Sequence, residues 1–233
     1  MSGPLSSPGA TAGRIVSVNV AQQRENPFKA GLRTGIDKLP TEDAVEVRAP
    51  GSKAHGSGSG LVGDFIGDRR SHGGDDQAVY AYALEDLQWW SDQLAETLRC
   101  GQFGENLTTT GLDVNGARIG ERWRIGDEVE LQVTDPRIPC GTFRGWMNRP
   151  GWLKTFVGAV RPGAYLRVVT PGRVRRGDAV VVTHRPEHDV TIALAFEALT
   201  SDRSLLPRLL AAQDDLSEEL RESARSGQGF DLT

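Results

Sequence analysis

Hydrophobic and polar residues alternate along several short stretches of this chain. The alternation is clearest at residues 14–20 and 129–134, and it recurs at residues 44–49, 61–66 and 164–169. A period of two residues is the pattern of a β-strand with one buried face. Turns rich in glycine and proline separate these stretches. Many short strands with such turns predict a closed or partly closed β-barrel.

Apolar residues also recur at helical spacing. Leucine and tryptophan appear every three or four positions over residues 84–98, which predicts an amphipathic helix beside the barrel. A shorter helix is predicted after Pro150. Three further helical patterns, at residues 190–199, 204–212 and 215–224, follow the last predicted strand. The expected fold is therefore mainly β with peripheral α: a β-barrel followed by a small three-helix tail.

Domain boundaries follow from the same patterns. Residues 1–12 are rich in glycine, proline, serine and alanine, and we expect them to be disordered. We expect the barrel to occupy residues 13–185 and the tail to form a separable unit at residues 186–233. His184 and His188 lie four residues apart, as in a helical metal site, but the proline between them argues against that helix. This segment is interpreted as a linker.

Composition and charge exclude several classes of protein. The chain has 233 residues, of which 38% are hydrophobic and 25% charged, and its formal net charge is -4. These values are ordinary for a globular protein. No basic excess suggests binding to nucleic acid or to anionic membranes, and no run has the length that spans a bilayer. Two cysteines do not make a disulfide framework, so we expect free thiols and a cytoplasmic location.

The segment around Cys140 carries the candidate chemistry. Pro136 and Pro139 fix the backbone and push the residues before them towards extended conformations. The thiol is thus expected on a stiff, non-helical segment after a predicted strand. Arg137 and Arg144 lie three residues before and four residues after Cys140, and nearby cations favour the thiolate, which is the form that attacks or binds a metal. The alternative is a buried structural cysteine.

Several motifs of this chain resemble, in the same order, those of a known family. They are Thr34-Gly35-Ile36-Asp37-Lys38-Leu39-Pro40, His72-Gly73-Gly74-Asp75-Asp76-Gln77-Ala78-Val79-Tyr80, Gly104-Glu105-Asn106-Leu107-Thr108-Thr109 and Pro136-Arg137-Ile138-Pro139-Cys140. Over residues 14–224 the chain is similar to MOSC-domain proteins, and its tail resembles the three-helix extension of the YiiM-like branch. The resemblance implies an MOSC-type β-barrel.

The resemblance also implies a cofactor and a reaction. In this family a cysteine thiolate, which corresponds to Cys140, is the protein ligand of molybdenum in the molybdenum cofactor, a Mo-pyranopterin. The implied activity is reduction of N-hydroxylated compounds, such as hydroxylaminopurine-type bases, by oxygen-atom transfer. Cys140 and Arg137 are then the predicted catalytic residues. The chain shows no flavin, haem or iron–sulfur motif, so electrons are expected from an external donor protein.

The predicted cofactor-binding residues are Lys38, His72, Gly73, Asp75, Asp76, Asn106, Thr108 and Arg137. Several have an ordinary structural alternative. Lys38 could be a solvated turn lysine, and Asn106 could simply form a turn. The two aspartates could cap a helix that is predicted to follow the glycine turn.

Gln77 and Tyr80 depart from the family's motif, which often has a basic residue and a histidine at these positions. A second function hypothesis is a binding protein that stores or hands over molybdenum cofactor or sulfur, with Cys140 as a transient ligand or persulfide. An inert barrel with a buried thiol is a third. Pyridoxal phosphate binding, also associated with the family, has no supporting lysine context in this chain.

Overall fold

The computed structural model describes residues 12–230. The segment predicted to be disordered lies outside the described residues, except for Ala12, which begins the first strand. Within residues 12–230 no helix is long and apolar enough to cross a membrane. Cys100 and Cys140 are both free thiols.

Seven of the strands in this range close into a barrel, in the order β12-β8-β9-β10-β6-β7-β1, because β1 also pairs with β12. Neighbouring strands are antiparallel except for β6 and β7. The strands are β1 (Ala12–Val20), β2 (Arg24–Glu25), β3 (Arg33–Thr34), β4 (Leu39–Thr41), β5 (Val45–Val47), β6 (Val79–Ala83), β7 (Leu107–Thr110), β8 (Arg122–Ile125), β9 (Val129–Pro136), β10 (Ala164–Thr170), β11 (Gly172–Val174) and β12 (Ala179–His184).

Strand β1 pairs with two different strands along one of its edges. Its beginning pairs with β12, where Ala12 lies opposite Val181, and its end pairs with β4, where Val20 lies opposite Leu39. Strand β7 occupies the other edge, with an irregularity after Ile15. Because a bulge bends and twists a strand, β1 can leave one partner and meet the next. This bend closes the barrel and directs the end of β1 towards the site described below.

Within residues 12–230, six α-helices surround the barrel or form the tail. They are α1 (Leu84–Leu94), α2 (Gly141–Met147), α3 (Trp152–Ala159), α4 (Ile192–Thr200), α5 (Leu206–Leu209) and α6 (Glu218–Ser226). Short 3-10 turns flank α5. Two of the tail helices, α4 and α6, begin at capping side chains: Thr191 accepts the N–H of Leu194, and Ser217 accepts the N–H of Leu220.

Some local predictions differ from the structure. The first predicted helix ends four residues early, at Leu94, because Ala95 adopts a left-handed conformation with φ 49°. The strand predicted at residues 61–66 is wrong: only one bridge forms there, and the chain turns at Gly63 with φ 87°. The sequence pattern also misses α2, because two of its seven residues are glycine, which weakens helix propensity.

The buried core has two parts. Aliphatic side chains fill the barrel, and the same cluster continues into the tail through residues such as Ile192, Leu206 and Leu220. The second part, here called the aromatic cluster, consists of Tyr80, Tyr82, Leu87, Trp90, Leu98, Phe103, Phe143, Met147, Trp152, Phe156 and Phe196. Ile138 and Cys140 pack against it. The segment predicted to carry the chemistry therefore rests on a rigid, buried base.

Candidate functional site

Loops from distant parts of the chain meet where β1 ends and β4 and β7 begin, and the segment that follows β9 reaches the same place. They enclose about 730 Å³ of empty space, including solvent at the mouth, which we call the first pocket. Its walls are formed by Asn26, Arg33, Thr34, Gly35, Ile36, Lys38, Phe65, Ile66, Gly67, Asp68, His72, Gly73, Gln77, Tyr80, Phe103, Gly104, Asn106, Arg137, Cys140, Thr142 and Tyr165.

Cys140 lies between β9 and α2 in an extended conformation, with φ −115° and ψ 170°, which is usual for the residue that precedes a helix. Burial alone would raise the pKa of this thiol. A hydrogen bond from His72, the charges of His72 and Arg137, and the N–H of Phe143 outweigh burial and lower the pKa of Cys140 to about 6. At neutral pH the free cysteine is therefore mostly thiolate, the nucleophilic and metal-binding form.

Arg137 is a buried cation with an unsatisfied donor. Only 4% of the residue is exposed, and its guanidinium lies 3.6 Å from the ring centroid of Phe143, with Tyr80 and Phe156 each at 5.7 Å. Among the residues that the structure describes, none accepts a hydrogen bond from its buried Nη1. A buried donor without a partner is costly, so Arg137 is prepared to receive an acceptor that enters the pocket.

Asp64 joins two of the residues that line the pocket. Its side chain is fully buried, and it accepts hydrogen bonds from Lys38 Nζ at 2.5 Å, Asn106 Nδ2 at 3.0 Å, Ser59 Oγ at 2.7 Å and the Ala21 N–H at 2.8 Å. Sequence reasoning missed this residue. One feature of the sequence could have identified Asp64: it is the only carboxylate in the apolar run at residues 61–66. A charged side chain in an apolar segment needs polar partners when it is buried.

This network leaves Asn106 with little capacity for a ligand. Its Oδ1 accepts the N–H of Tyr80 at 3.1 Å, and its Nδ2 donates to Asp64 and to the carbonyl of Asn19 at 3.3 Å. An amide side chain has two donor hydrogens and one acceptor oxygen, and the protein engages both ends. The geometry favours a structural role for Asn106 over the expected contact with a pterin edge.

The glycine-rich turn approaches the pocket as backbone. Gly73 and Gly74 adopt φ values of 82° and 80°. A Cβ at Gly73 would lie 2.6 Å from the carbonyl oxygen of Gly58, so only glycine fits there. The predicted helix does not follow this turn directly: a 3-10 turn, Asp75–Gln77, leads into β6, and α1 begins only at Leu84.

The two aspartates of this motif do not line the first pocket, and neither caps a helix. Asp75 accepts the N–H of Gly51 at 2.9 Å. Asp76 forms an ion pair with Arg167 on β10. Asp75 therefore ties the turn to the loop after β5, and Asp76 ties it to the barrel.

Thr108 is likewise buried away from the pocket. Its hydroxyl donates to Glu105 at 3.0 Å, and Glu105 also accepts the N–H groups of Gly101 and Phe103 at 2.5 and 3.0 Å. Burial raises the pKa of Glu105. This buried group fixes the loop before β7, which supplies Phe103 and Gly104 to the pocket wall.

A second pocket adjoins the first, between the barrel and the tail. It encloses about 1120 Å³, again including solvent at its mouth. The two pockets share wall residues His72, Gln77, Cys140 and Tyr165. Cys140 therefore lies between the first pocket, which the barrel and its loops form, and the second pocket, which the tail completes.

Comparison with known proteins identifies the family. The family model described as the MOSC domain matches residues 68–181. The uncharacterized protein YflK of Bacillus subtilis (strain 168) is 31% identical over 216 residues, which cover 90% of this chain and 91% of YflK. The chain belongs to the MOSC-domain family. The family predicted from the sequence motifs is thus confirmed.

Other relatives place this MOSC protein in the YiiM-like branch. The crystal structure of YiiM from Geobacillus stearothermophilus aligns with a TM-score of 0.73 at 25% identity, covering 92% of this chain and 98% of that chain. Protein YiiM of Escherichia coli (strain K12) is 29% identical over 136 residues, 57% of this chain and 60% of YiiM. A protein named "Reductase" from Gibberella moniliformis is 31% identical over 133 residues, which are 24% of its length. The predicted barrel with a three-helix tail is confirmed.

The structure brings six of the residues predicted for this MOSC site to the first pocket: Lys38, His72, Gly73, Asn106, Arg137 and Cys140. Within residues 12–230 no group of three or more histidine, cysteine or acidic side chains is arranged to hold a metal ion.

Proposed function

We propose that this protein binds a molybdenum cofactor in the first pocket, with Cys140 as the protein ligand of the metal, and reduces N-hydroxylated compounds. The observation that carries the proposal is the Cys140 thiol, whose pKa is lowered to about 6, on the wall of a pocket that also contains the unsatisfied Arg137. A likeness to a protein named "Reductase" supports a redox role.

The residues of the first pocket fit such a cofactor. A thiolate is a soft ligand, suited to binding a transition metal. Arg137 Nη1 is buried and has no hydrogen-bond partner in the described part of the chain, so a phosphate or pterin oxygen would satisfy it. Gly73 and Gly104 line the pocket without side chains, which allows a flat ligand to approach the backbone closely.

When bound, the cofactor supplies the two-electron chemistry that the side chains lack. Reduction of an N–OH group to N–H with release of water consumes two electrons and two protons. The chain's own residues would hold the cofactor, keep the Cys140 sulfur ionised through His72, and neutralise negative charge through Arg137. We propose that an external donor protein supplies the electrons in the cytoplasm, a reducing compartment where free thiols persist.

The direct test uses protein made in a host that synthesises the molybdenum cofactor. We expect close to one molybdenum and one pterin per chain, and turnover of a hydroxylaminopurine with a chemical reductant. Absence of molybdenum from protein made in that host would overturn the proposal. Firm binding without reduction of a broad panel of N-hydroxylated compounds, with any donor, would replace it with the carrier hypothesis.

Arg137→Gln isolates the anion contact. Loss of a charge-assisted hydrogen bond is worth about 1.5–3 kcal/mol, so cofactor affinity should fall roughly ten- to a hundredfold. Arg149→Gln is the matched control, because Arg149 pairs with Glu96 outside both pockets. Equal cofactor retention by the two variants would show that Arg137 does not contact the cofactor.

A further inference from the structure

Basic residues are concentrated in one segment of the chain. Residues 136–177 contain nine arginine or lysine residues and no aspartate or glutamate, although the whole chain has a formal net charge of -4. Five of the nine form ion pairs with carboxylates from outside the segment, as Arg161 does with Asp86. Arg144 on α2 and Lys154 on α3 are exposed, and neither has an ion-pair partner in the described part of the chain. The two helices that follow Cys140 therefore carry positive charge that the fold does not neutralise.

These two cations and two others lie at or beside the walls of the second pocket. Lys29 and Arg144 line the pocket itself. Arg70 and Lys154 are exposed, and each is adjacent in sequence to a residue that lines it. We call Lys29, Arg70, Arg144 and Lys154 the basic rim. Because Cys140 lines the same pocket, the basic rim lies on the side of the molecule from which Cys140 is reached.

Nearby carboxylates neutralise only part of this charge. Asp68 Oδ2 lies 3.6 Å from Lys29 Nζ, which is longer than a hydrogen bond. Glu219 lines the second pocket but forms an ion pair with Lys53. Burial raises the pKa of Asp135, also in the pocket wall, to about 7, so its carboxyl is only partly ionised at neutral pH. The basic rim therefore carries an excess of positive charge.

The tip of the β2–β3 hairpin adds apolar surface next to the basic rim. Phe28 and Leu32 at this tip are 39% and 44% exposed. Asn26 Nδ2 donates to Thr142 Oγ1 at 3.0 Å, which fixes the hairpin to α2. A Cβ at Gly145 would lie 2.4 Å from the ring of Phe28, so the tip lies directly on α2. Aromatic and arginine side chains on a rigid base are typical of protein–protein contacts.

This surface is close to the proposed metal ligand. Helix α2 begins at Gly141, immediately after Cys140. His72, which donates to the Cys140 thiol, follows Arg70 by two residues. The rate of electron tunnelling between two centres falls steeply with their separation. An electron donor must therefore bind on a surface near Cys140, and the basic rim with the hairpin tip is such a surface.

We propose that the basic rim and the tip of the β2–β3 hairpin form the docking surface for the electron donor, a small redox protein with an acidic face. This inference rests on the proposed function, which places the redox-active metal at Cys140 and takes its electrons from an external protein. Opposite charges on the two surfaces would speed the encounter and orient the donor. Reduction of one N–OH group needs two electrons, so a one-electron donor would dock twice per turnover and be oxidised each time.

The surface favours a protein over a nucleic acid. Exposed apolar side chains lie beside its cations, and they would contact the apolar part of a protein interface. A long polyanion would extend beyond the basic rim onto the rest of the chain. That remainder is acidic, because the whole chain is negative despite its basic segment. A compact acidic protein avoids this repulsion.

Titration followed by NMR locates the surface without turnover. The probes are a flavodoxin and a [2Fe–2S] ferredoxin, both small acidic redox proteins, added to isotope-labelled full-length protein with and without cofactor. We expect the backbone amide shifts to cluster at the basic rim and the hairpin tip, and to fade between about 20 and 300 mM salt as the charges are screened. Cytochrome c, a small basic protein, should cause no shifts there.

Electron delivery to the cofactor-loaded protein gives the second measurement. The double variant Arg70→Glu/Lys154→Glu should lower the second-order rate constant with reduced flavodoxin about tenfold at low salt, because attraction becomes repulsion. Turnover with reduced methyl viologen, a small cation that needs no docking surface, should stay at the wild-type level. Arg225→Glu is the matched control, because Arg225 is an exposed tail arginine outside both pockets.

Amide shifts away from the basic rim, or a wild-type rate with flavodoxin in the double variant, would overturn the docking surface. Rim shifts caused by a DNA duplex but by neither acidic protein would overturn it as well. If the loaded protein turns over with viologen while the acidic probes cause no shifts, the docking surface fails and the proposed function stands. If the acidic probes shift the rim of protein that binds no molybdenum, the surface for an acidic partner stands and the proposed function fails.

Discussion

Cys140 and Cys100 are both free, both partly buried and both near an arginine in sequence. The pKa values of their thiols nevertheless shift in opposite directions. The pKa of Cys140 falls to about 6, whereas burial raises the pKa of Cys100. The arginine beside Cys100 is already engaged: Arg99 binds the carboxylate of Asp37 and two backbone carbonyls. Arg137 retains a donor without a partner.

The difference shows what makes a cysteine reactive in this fold. An arginine that is close in sequence does not suffice to lower the pKa of a cysteine, because the guanidinium can form an ion pair with another group instead. His72 and Arg137 lower the pKa of Cys140 because the fold brings both to the same pocket. Cys100 instead lies near the buried Glu105, which opposes thiolate formation.

The largest expected effect separates the two residues by function. Cys140→Ser should lower reduction of N-hydroxylated substrates below detection, because an alcohol stays protonated near neutral pH and binds the metal poorly. Cys100→Ser should remain within roughly threefold of wild type, since its effect is limited to local stability. Both variants are assayed after cofactor loading, with molybdenum content measured. Full turnover by Cys140→Ser would remove the basis for assigning the ligand.

How much of this site could be predicted from the sequence depends on the range of the interactions. The non-helical backbone of the segment before Cys140 follows from two prolines within five residues, which is a local constraint. The Asp64 network and the bond between Asp135 and Ser217 join residues far apart in sequence, and no local pattern announces such a pairing. The sequence identifies Gly73 as a turn residue. The clash that a Cβ at this position would make with Gly58 depends on a tertiary contact, which the sequence does not show.

The same distinction between local and long-range interactions explains which parts of the fold could be predicted. Most of the strand alternation and the three helical patterns of the tail follow from local periodicity, and they agree with the structure. The strand predicted at residues 61–66 failed because the chain turns at Gly63, with φ 87°, and Phe65 and Ile66 line the first pocket. Helix α2 forms despite two glycines because Phe143 and Met147 anchor it in the aromatic cluster, where packing outweighs propensity.

Alkylation of the cofactor-free protein should sharpen the comparison. Cys140 has a lower pKa but a less nucleophilic thiolate, so the two effects partly cancel. We expect Cys140 to react faster than Cys100 at pH 6, and we expect the ratio of the two rates to fall as the pH rises to 7. The rate at Cys140 should level off above pH 7, while that at Cys100 continues to rise. Mass spectrometry of iodoacetamide-treated protein resolves the two sites; faster labelling of Cys100 at pH 6 would reverse the assignment.

His72→Gln should reduce the difference in alkylation rate between Cys140 and Cys100 without removing it. A hydrogen bond from His72 and its charge lower the pKa of Cys140, so the midpoint of its alkylation profile should move to higher pH. The rate at pH 6 should then fall several-fold, because less thiolate is present. His55→Gln, a change in an exposed loop outside both pockets, serves as the control. An unchanged midpoint in His72→Gln would mean that Arg137 and the N–H of Phe143 are enough to lower the pKa.

The smallest effect concerns the pH dependence of stability in the cofactor-free protein. The folded-state pKa of Cys140, about 6, lies below the ordinary value of 9.0. Folding therefore favours the thiolate: the stabilisation is complete above the ordinary pKa and is lost as the pH falls through 6.

Between pH 6 and 8 the stability of wild type relative to Cys140→Ala should rise with pH, by about 0.7–1.3 kcal/mol per unit, because the unfolded chain binds between about half a proton and one proton more than the folded chain over this range. Cys100 has the opposite sign, because its raised pKa means that stability is lost only as the pH rises above the ordinary thiol value. The difference between wild type and Cys100→Ala should therefore be flat over the same range. Urea unfolding at pH 6, 7 and 8 measures both differences, and parallel flat lines for the two variants would show that the Cys140 thiol is not ionised by the fold.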